Sequence, residues 1–232
     1  MADPFTGDDA LPSGARRFAE LGWNLARFAN SFGPRGSIGP PNGPPALVIP
    51  GFLATDRTTL PLRRALASDG WRVHGWELGW NRGARSDTID RLRSRLDQIG
   101  GGPVLLVGWS LGGLFARELA RACPERVRAV VTLGSPFSGD PHQNHVWRIY
   151  EWVARHKVDD PPIARISGKP PVPTLAIWSR KDGLIAPRAA RGLDPERDEA
   201  VELDCAHMAF GVSRRAARQV VREIDRFLKK YT

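Results

Sequence analysis

The sequence predicts an α/β fold in which helices cover both faces of a minimal, mostly parallel sheet of about six strands. Short apolar segments alternate along the chain with longer segments of helical spacing, which is typical of β-α-β units. One apolar run, Val104–Val107, is unbroken, as expected of a strand buried on both faces. With 232 residues, the chain is long enough for one domain with a substantial core.

The predicted strands and helices follow one another in a regular order. The strands are 46–50, 71–78, 104–107, 127–133, 174–179 and 200–203. The helices of the domain are 58–68, 86–98, 114–120 and 213–228, and Ser86 is the predicted N-cap of the second. A segment at about 138–173 interrupts this order and is predicted to be a short helical cap insertion, with its helix at 145–156.

Residues 1–45 are predicted to form an N-terminal region ahead of the domain at 46–232. This region consists of a tail, an amphipathic helix between Ser13 and Phe32, and a linker rich in glycine and proline. We expect the helix to dock on the domain surface, and the alternative is an interfacial helix that contacts lipid or a dimer partner. Transient membrane contact through this helix is therefore left open, as is the oligomeric state.

The composition is that of an ordinary globular protein with a basic excess. The net charge is +9, but the basic residues are mostly arginines interleaved with acidic residues. Nucleic acid is therefore not an expected partner. No segment approaches a membrane span and the N-terminus lacks the apolar core of a secretory signal, so a cytoplasmic location is expected. Cys123 and Cys205 fall far apart in the predicted fold, so no disulfide is expected.

The most informative stretch is Gly108-Trp109-Ser110-Leu111-Gly112-Gly113, between a predicted strand and a predicted helix. A GxSxG pattern is weak evidence when it stands alone. Between a buried strand and a helix, however, it predicts a nucleophile elbow, a sharp turn that exposes a serine hydroxyl. Side chains at the flanking glycine positions would collide with the neighbouring strand and helix. The sequence therefore predicts Ser110 as a nucleophile.

A serine hydroxyl needs a base that removes its proton as it attacks. His207 lies just past the last predicted strand and before the last helix, where a loop can reach the elbow. His207 is therefore the predicted general base, and His142, in the predicted insertion, is the rival.

The base in turn needs a carboxylate that orients it. Asp182 follows the predicted strand 174–179 and lies between Ser110 and His207 in the chain. It is the predicted orienting acid, although an Asp-Gly pair is also a common turn signal. Asp204 is the competitor, but it is so close to His207 in sequence that a suitable approach would be strained.

Backbone amides and a pocket complete the predicted site. The N–H groups of Phe52 and Leu111 are expected to stabilise the oxyanion of a tetrahedral intermediate. The expected substrate-binding residues are Leu53, Trp109, Trp147, Tyr150, Trp152 and Met208. Three of these aromatic residues belong to the predicted insertion, which either covers an apolar group of the substrate or simply packs on the domain.

The chain from about residue 46 to residue 228 resembles the serine esterases and lipases of the α/β-hydrolase fold. The motifs that carry the resemblance are Pro50-Gly51-Phe52, Gly108–Gly113, Leu133–Phe137, Ser179–Gly183 and the loop around His207. The resemblance implies hydrolysis of carboxylic esters through an acyl-serine intermediate, with a triad of Ser110, Asp182 and His207. It also implies that no cofactor and no metal take part, and that lipid degradation is an expected role.

The chain departs from that family in two places. Many members begin with an antiparallel hairpin, where this chain has a predicted helix and linker. Pro50-Gly51 stands where His-Gly is more usual, which leaves the substrate open within the class of small-molecule or lipid-like acyl esters. The alternatives are a thioesterase or acyltransferase that uses the same triad, and a non-catalytic lipid- or partner-binding module.

Overall fold

A computed structural model of the protein describes Arg16, Glu20, residues 36–139 and residues 168–231. In these ranges the strands are β1 (Pro45–Ile49), β2 (Arg72–Gly75), β3 (Val104–Trp109), β4 (Val127–Leu133), β5 (Thr174–Trp178) and β6 (Glu199–Glu202). They form one sheet in the order β2-β1-β3-β4-β5-β6, and every neighbouring pair is parallel. The predicted parallel sheet of about six strands is thereby confirmed.

Helices cover both faces of this sheet. In the described ranges they are α1 (Leu60–Ser68), α2 (Thr88–Ile99), α3 (Leu111–Ala122), α4 (Pro187–Arg191), α5 (Ala209–Val212) and α6 (Arg214–Tyr231). Two short 3₁₀ turns, at Pro124–Arg126 and Asp194–Glu196, precede β4 and β6. In the described ranges, α1, α2, α3 and α4 lie in the connections that return the chain between successive parallel strands.

The two faces of the sheet bury separate apolar clusters. Alternate residues of β1 divide between them: Leu47 packs with α2 and α3, whereas Val48 packs with α1 and α6. On α6, Val220, Ile224 and Phe227 recur at helical spacing and are fully buried. Burial on both faces explains why the central strands are continuously apolar rather than alternating.

Several predicted helix boundaries differ from the observed ones by one to three residues, and at the start of α2 the difference removes a predicted N-cap. The helix predicted at 86–98 begins at Thr88, and neither Ser86 nor any other side chain makes an N-cap hydrogen bond there. Instead, the Arg85 N–H donates to Thr88 Oγ1 at 2.9 Å and the Thr88 N–H donates to the Arg85 carbonyl at 3.0 Å. This local turn displaces the start of the helix by two residues and removes the role predicted for Ser86.

The sequence did not predict the short helices α4 and α5. A helix of four or five residues shows less than two turns, so it leaves no periodic pattern in the sequence. Helix α5 begins two residues after His207, and it connects the loop of that histidine to α6.

Several predictions concern segments that lie mostly outside the described residues. Arg16 and Glu20 are helical, and the remainder of the helix predicted between Ser13 and Phe32 lies outside. The helix predicted at 145–156, and with it His142, lies in the part of the insertion that is not described. Within the described ranges, no helix combines the length and the apolar composition needed to cross a membrane.

Candidate active site

The carboxyl ends of the parallel strands define one edge of the sheet, and strained backbone is concentrated there. Among the described residues, three that are not glycine have a positive φ: Leu53 at 53°, Glu77 at 58° and Ser110 at 54°. They follow β1, β2 and β3. Residues other than glycine rarely adopt this backbone conformation, and the exceptions are concentrated at functional sites. This edge is also where open α/β sheets bind ligands.

Ser110 occupies the turn between β3 and α3. Its backbone has a φ of 54° and a ψ of −122°. The Ser110 N–H donates to the Leu133 carbonyl at 2.8 Å, and the Gly113 N–H donates to the Ser110 carbonyl at 3.0 Å. These bonds tie the turn to β4 on one side and to the first turn of α3 on the other.

Close backbone packing explains the glycines around Ser110. A Cβ atom on Gly108 would lie 2.3 Å from the carbonyl oxygen of Gly112. A Cβ atom on Gly112 would lie 2.3 Å from the carbonyl oxygen of Ile49 in β1. Only glycine permits β3, α3 and β1 to approach this closely. The collision expected from the sequence is therefore present at both positions.

Asp182 and His207 form a buried pair at this edge. Asp182 Oδ2 lies 2.7 Å from His207 Nδ1, and the two side chains are 1% and 3% exposed. Asp182 Oδ1 accepts hydrogen bonds from the N–H groups of Leu184 and Ile185, both at 2.8 Å. Asp182 therefore closes a local turn with one oxygen and holds the imidazole with the other. With Nδ1 donating to the carboxylate, Nε2 is the nitrogen left to accept a proton.

The environment of His207 favours its protonated form. Burial alone would lower the pKa of the imidazole, but the charge and hydrogen bond of Asp182, with the charge of Glu20, hold that pKa above its ordinary value. A raised pKa stabilises the imidazolium that forms when a histidine accepts a serine proton.

Trp109 and Gly51 connect the elbow to its neighbours. The indole Nε1–H of Trp109 donates to the carbonyl of His207 at 3.2 Å, and the two ring centroids are 5.9 Å apart. A Cβ atom on Gly51 would lie 3.1 Å from Ser110 Cβ. The loops after β1, β3 and β6 therefore meet around Ser110. In the described part of the chain no hydrogen bond joins Ser110 Oγ to His207, and such bonds often form only when substrate binds.

The rival acid has a different partner. Asp204 pairs with Lys181 at 2.7 Å, and its side chain is 71% exposed. It faces solvent, whereas Asp182 is the carboxylate that contacts His207. The rival base, His142, lies outside the described residues.

The two predicted oxyanion donors lie at the same edge. Leu111 is the first residue of α3, so its N–H has no carbonyl partner within the helix. Phe52 follows Gly51 in a turn that the Ala54 N–H closes on the Gly51 carbonyl at 3.1 Å. This arrangement aims a helix N-terminus, with its positive end of the dipole, at the space beside Ser110.

The predicted pocket residues divide into three groups. Leu53 is half-buried in the turn after β1. Trp109 and Met208 are 2% and 5% exposed and belong to the apolar cluster beneath the site. Trp147, Tyr150 and Trp152 lie outside the described residues. The substrate-binding roles of all six residues stay predictions.

Glu20 is a site residue that sequence reasoning missed. Its carboxylate is buried, with the residue 2% exposed. Glu20 Oε1 accepts hydrogen bonds from the N–H groups of Gly183 at 3.0 Å and His207 at 2.7 Å, and Oε2 accepts one from the Met208 N–H at 2.9 Å. In a single sequence, a glutamate in an amphipathic helix gives no sign of partners more than 160 residues away.

The comparison with protein families agrees with this geometry. A family model described as alpha/beta hydrolase fold matches residues 44–160, about half of the chain. The chain therefore belongs to the α/β-hydrolase fold family, and the family predicted from the sequence motifs is confirmed. A curated relative, the biotin biosynthesis bifunctional protein BioHC of Teredinibacter turnerae, is 35% identical over 57 residues. That match covers 25% of this chain and 10% of the relative.

Solved structures share the fold at low identity. Carboxylesterase CesB from Bacillus subtilis has a TM-score of 0.58 at 14% identity, over 91% of this chain and 98% of that one. MGS-MChE2, an α/β hydrolase enzyme from the metagenome of Mar Chica lagoon sediments, has a TM-score of 0.61 at 21% identity, over 82% and 93%. A thioesterase domain from the curacin biosynthetic pathway has a TM-score of 0.56 at 16% identity, over 80% of this chain and 93% of that one.

Proposed function

We propose that the protein is a serine hydrolase that cleaves carboxylic esters through an acyl-serine intermediate. Ser110 is the nucleophile, His207 the general base and Asp182 the acid that orients the base. The observation that carries the proposal is the buried Asp182–His207 contact at 2.7 Å, beside a serine in a positive-φ turn. A strained serine and an oriented imidazole at one sheet edge are the parts that acyl transfer needs.

In the first half of the reaction, Ser110 Oγ attacks the ester carbonyl carbon and its proton passes to His207 Nε2. The bond to the leaving alcohol then breaks, and His207 returns the proton to the alcohol oxygen. In the second half, water attacks the acyl-serine while His207 again takes and returns a proton, which releases the acid. Asp182 stays ionised throughout and stabilises the imidazolium.

The carbonyl oxygen gains negative charge in both halves of the reaction. The N–H groups of Leu111 and Phe52 are the proposed donors to this oxyanion. One such donor contributes about 3–4 kcal/mol to the lowering of the barrier. Because backbone amides do this, the chemistry requires no particular side chain at either position.

The proposed substrate is a small-molecule or lipid-like acyl ester. The half-buried Leu53 beside the elbow and the apolar side chains of the predicted insertion support an apolar acyl or alcohol group. The second candidate is a thioesterase or an acyltransferase. It is supported by the similarity in fold to the curacin thioesterase domain, and its chemistry would begin with the same attack by Ser110.

The test is hydrolysis of p-nitrophenyl esters of increasing acyl length by the native protein, Ser110→Ala and Ser68→Ala. Ser68 is an exposed serine at the end of α1 and serves as the matched control. We expect saturable turnover by the native protein and by Ser68→Ala, and a loss of about 10⁴-fold or more in Ser110→Ala. Absence of turnover by the native protein, or activity above a few per cent in Ser110→Ala, would contradict the proposal.

The same proteins separate the two candidates. We expect oxygen esters to be hydrolysed at least as fast as matched acyl thioesters, with water as the preferred acceptor. Faster turnover of the thioesters, or transfer of the acyl group to an added alcohol in preference to water, would instead favour the second candidate.

A further inference from the structure

Three backbone N–H groups from two different loops converge on the Glu20 carboxylate. Gly183 follows Asp182, and His207 and Met208 belong to the loop after β6. All three hydrogen bonds to Glu20 are between 2.7 and 3.0 Å. One carboxylate outside the region matched by the family model therefore joins the loop of the acid to the loop of the base.

The helix that carries Glu20 packs directly on the Asp182 loop. A Cβ atom on Gly183 would lie 2.6 Å from the Arg16 carbonyl oxygen and 2.8 Å from Glu20 Cγ. The absence of a side chain at Gly183 is thus what lets the helix backbone reach the loop. The contact is close enough for a change at Glu20 to move Asp182 and His207 relative to each other.

We propose that Glu20 is a positioning residue for the Asp182–His207 pair: it fixes the separation of the two loops and adds a second negative charge near His207. The inference rests on the proposed function for its catalytic consequence. Hydrogen bonds from backbone N–H groups to a carboxylate are short and strong, so the three contacts restrain both loops. The charge of Glu20 favours the imidazolium in the same sense as that of Asp182.

The titratable groups around His207 come from three segments of the described chain. Asp182 lies in the loop after β5, Glu20 in the N-terminal helix, and Cys205 in the loop of His207 itself. Burial, with the neighbouring carboxylates, raises the pKa of Cys205 to about 12, so its thiol stays neutral near pH 7. Asp204 is paired with Lys181 at the surface. Asp182 and Glu20 are therefore the charges that set the protonation of His207.

Glu20→Gln separates this role from that of a simple anchor for the helix. A glutamine amide has one acceptor oxygen, and its NH₂ group would face at least one of the three N–H donors. The substitution removes a hydrogen bond and the charge while it keeps the size of the side chain. Arg16→Gln is the matched control, since Arg16 lies four residues earlier, is also helical, and is exposed.

We expect Glu20→Gln to lower kcat for a p-nitrophenyl ester by about ten- to a hundredfold, as a small misplacement of the base does, with little change in KM. The acidic limb of its pH profile should move to lower pH, because loss of a negative charge lowers the pKa of His207. Glu20→Asp keeps the charge but draws the carboxylate back, so kcat should fall while the limb stays near that of the native protein. Arg16→Gln should leave kcat and the position of the acidic limb unchanged.

Native kcat and a native acidic limb in a folded Glu20→Gln protein would overturn the proposal. If Glu20→Gln does not fold, Glu20→Asp is the test of the proposal. A native kcat in Glu20→Asp would then overturn the positioning role of Glu20. An NMR titration of His207 in a Ser110→Ala background gives a readout that needs no turnover. A lower His207 pKa on adding Glu20→Gln supports the role of Glu20 even if the native protein hydrolyses no ester, and an unchanged pKa counts against it.

Discussion

Ser110 shows how backbone geometry prepares a side chain for chemistry. A non-glycine residue at a positive φ is less stable by about 1–3 kcal/mol, and persists only where the surroundings fix it. Here the surroundings are the hydrogen bond from the Ser110 N–H to Leu133 and the backbone packing at Gly108 and Gly112. The backbone that carries the hydroxyl is thereby held at the tip of the turn.

Asp182→Asn tests the orienting role of this carboxylate. An asparagine of the same shape can present its NH₂ group to His207 Nδ1, which favours the tautomer whose proton is on Nε2. We expect kcat to fall by about 10⁴-fold, because that tautomer cannot accept the serine proton. Measured under the same conditions, Asp204→Asn should retain native kcat, because Asp204 contacts Lys181 rather than His207. Equal losses in the two variants would argue against the assignment.

The pH dependence of activity follows from the pKa of His207. Burial lowers that pKa, but Asp182 and Glu20 together raise it by more than burial lowers it. The pKa of His207 therefore lies above the ordinary value of 6.5. Protonated His207 cannot accept the proton of Ser110, so kcat/KM should fall as the pH drops through the pKa. We therefore expect the midpoint of the acidic limb above 6.5 in a full pH profile. A midpoint at or below 6.5 would contradict this expectation, because it would show that the effect of the two carboxylates on the pKa of His207 does not exceed that of burial.

At the scale of elements, α3 has two functions. Its N-terminus presents the Leu111 N–H to the site, and its second turn holds the flanks of the predicted insertion. Arg117, 3% exposed, donates to the carbonyls of Gly168 at 2.7 Å and Glu196 at 3.0 Å. Its guanidinium also lies 4.2 Å from the centroid of the Phe137 ring. One arginine thus contacts both the beginning and the end of the predicted insertion.

Arg117→Met should destabilise the protein, because it removes the hydrogen bonds of this buried guanidinium to the Gly168 and Glu196 carbonyls and its stacking on Phe137. Of these two carbonyls, Arg121 still donates only to that of Gly168. Burial, with the charge of Arg121, lowers the pKa of Arg117 to about 10, so the residue is charged at neutral pH and makes charge-assisted bonds. We expect a loss of about 1–3 kcal/mol in the free energy of unfolding, measured in urea. Arg64→Met, at an exposed position of α1, should stay within about 0.5 kcal/mol of the native protein. Unchanged stability in Arg117→Met would contradict this role.

At the scale of the whole molecule, the fold collects residues from distant parts of the chain at one sheet edge. The strand order β2-β1-β3-β4-β5-β6 places the carboxyl ends of β1, β3 and β4 side by side. Ser110 follows β3, Gly51 and Phe52 follow β1, and Gly134 follows β4. A Cβ atom on Gly134 would lie 3.1 Å from His207 Nδ1, which shows how closely the loops of the site pack around this edge.

Much of this arrangement could be predicted because local patterns specify it. Buried parallel strands leave continuous apolar runs, and the glycines of the elbow mark a close approach of backbone. The meeting of Asp182 and His207 was predictable since each follows a strand of the same parallel sheet. Glu20 was not, because its partners are backbone N–H groups, which carry no signature in the sequence. The start of α2 was not predicted either. It depends on whether local hydrogen bonds form the turn between Arg85 and Thr88 or an N-cap at Ser86.

Trapping of the acyl-enzyme tests the central claim most directly. The native protein is mixed with a p-nitrophenyl ester, quenched in acid within the first turnovers, digested and analysed by mass spectrometry. We expect the added mass of the acyl group on the peptide that contains Ser110, and none on that peptide in Ser110→Ala. An acyl group on a different residue, or hydrolysis at full rate by Ser110→Ala, would contradict the account.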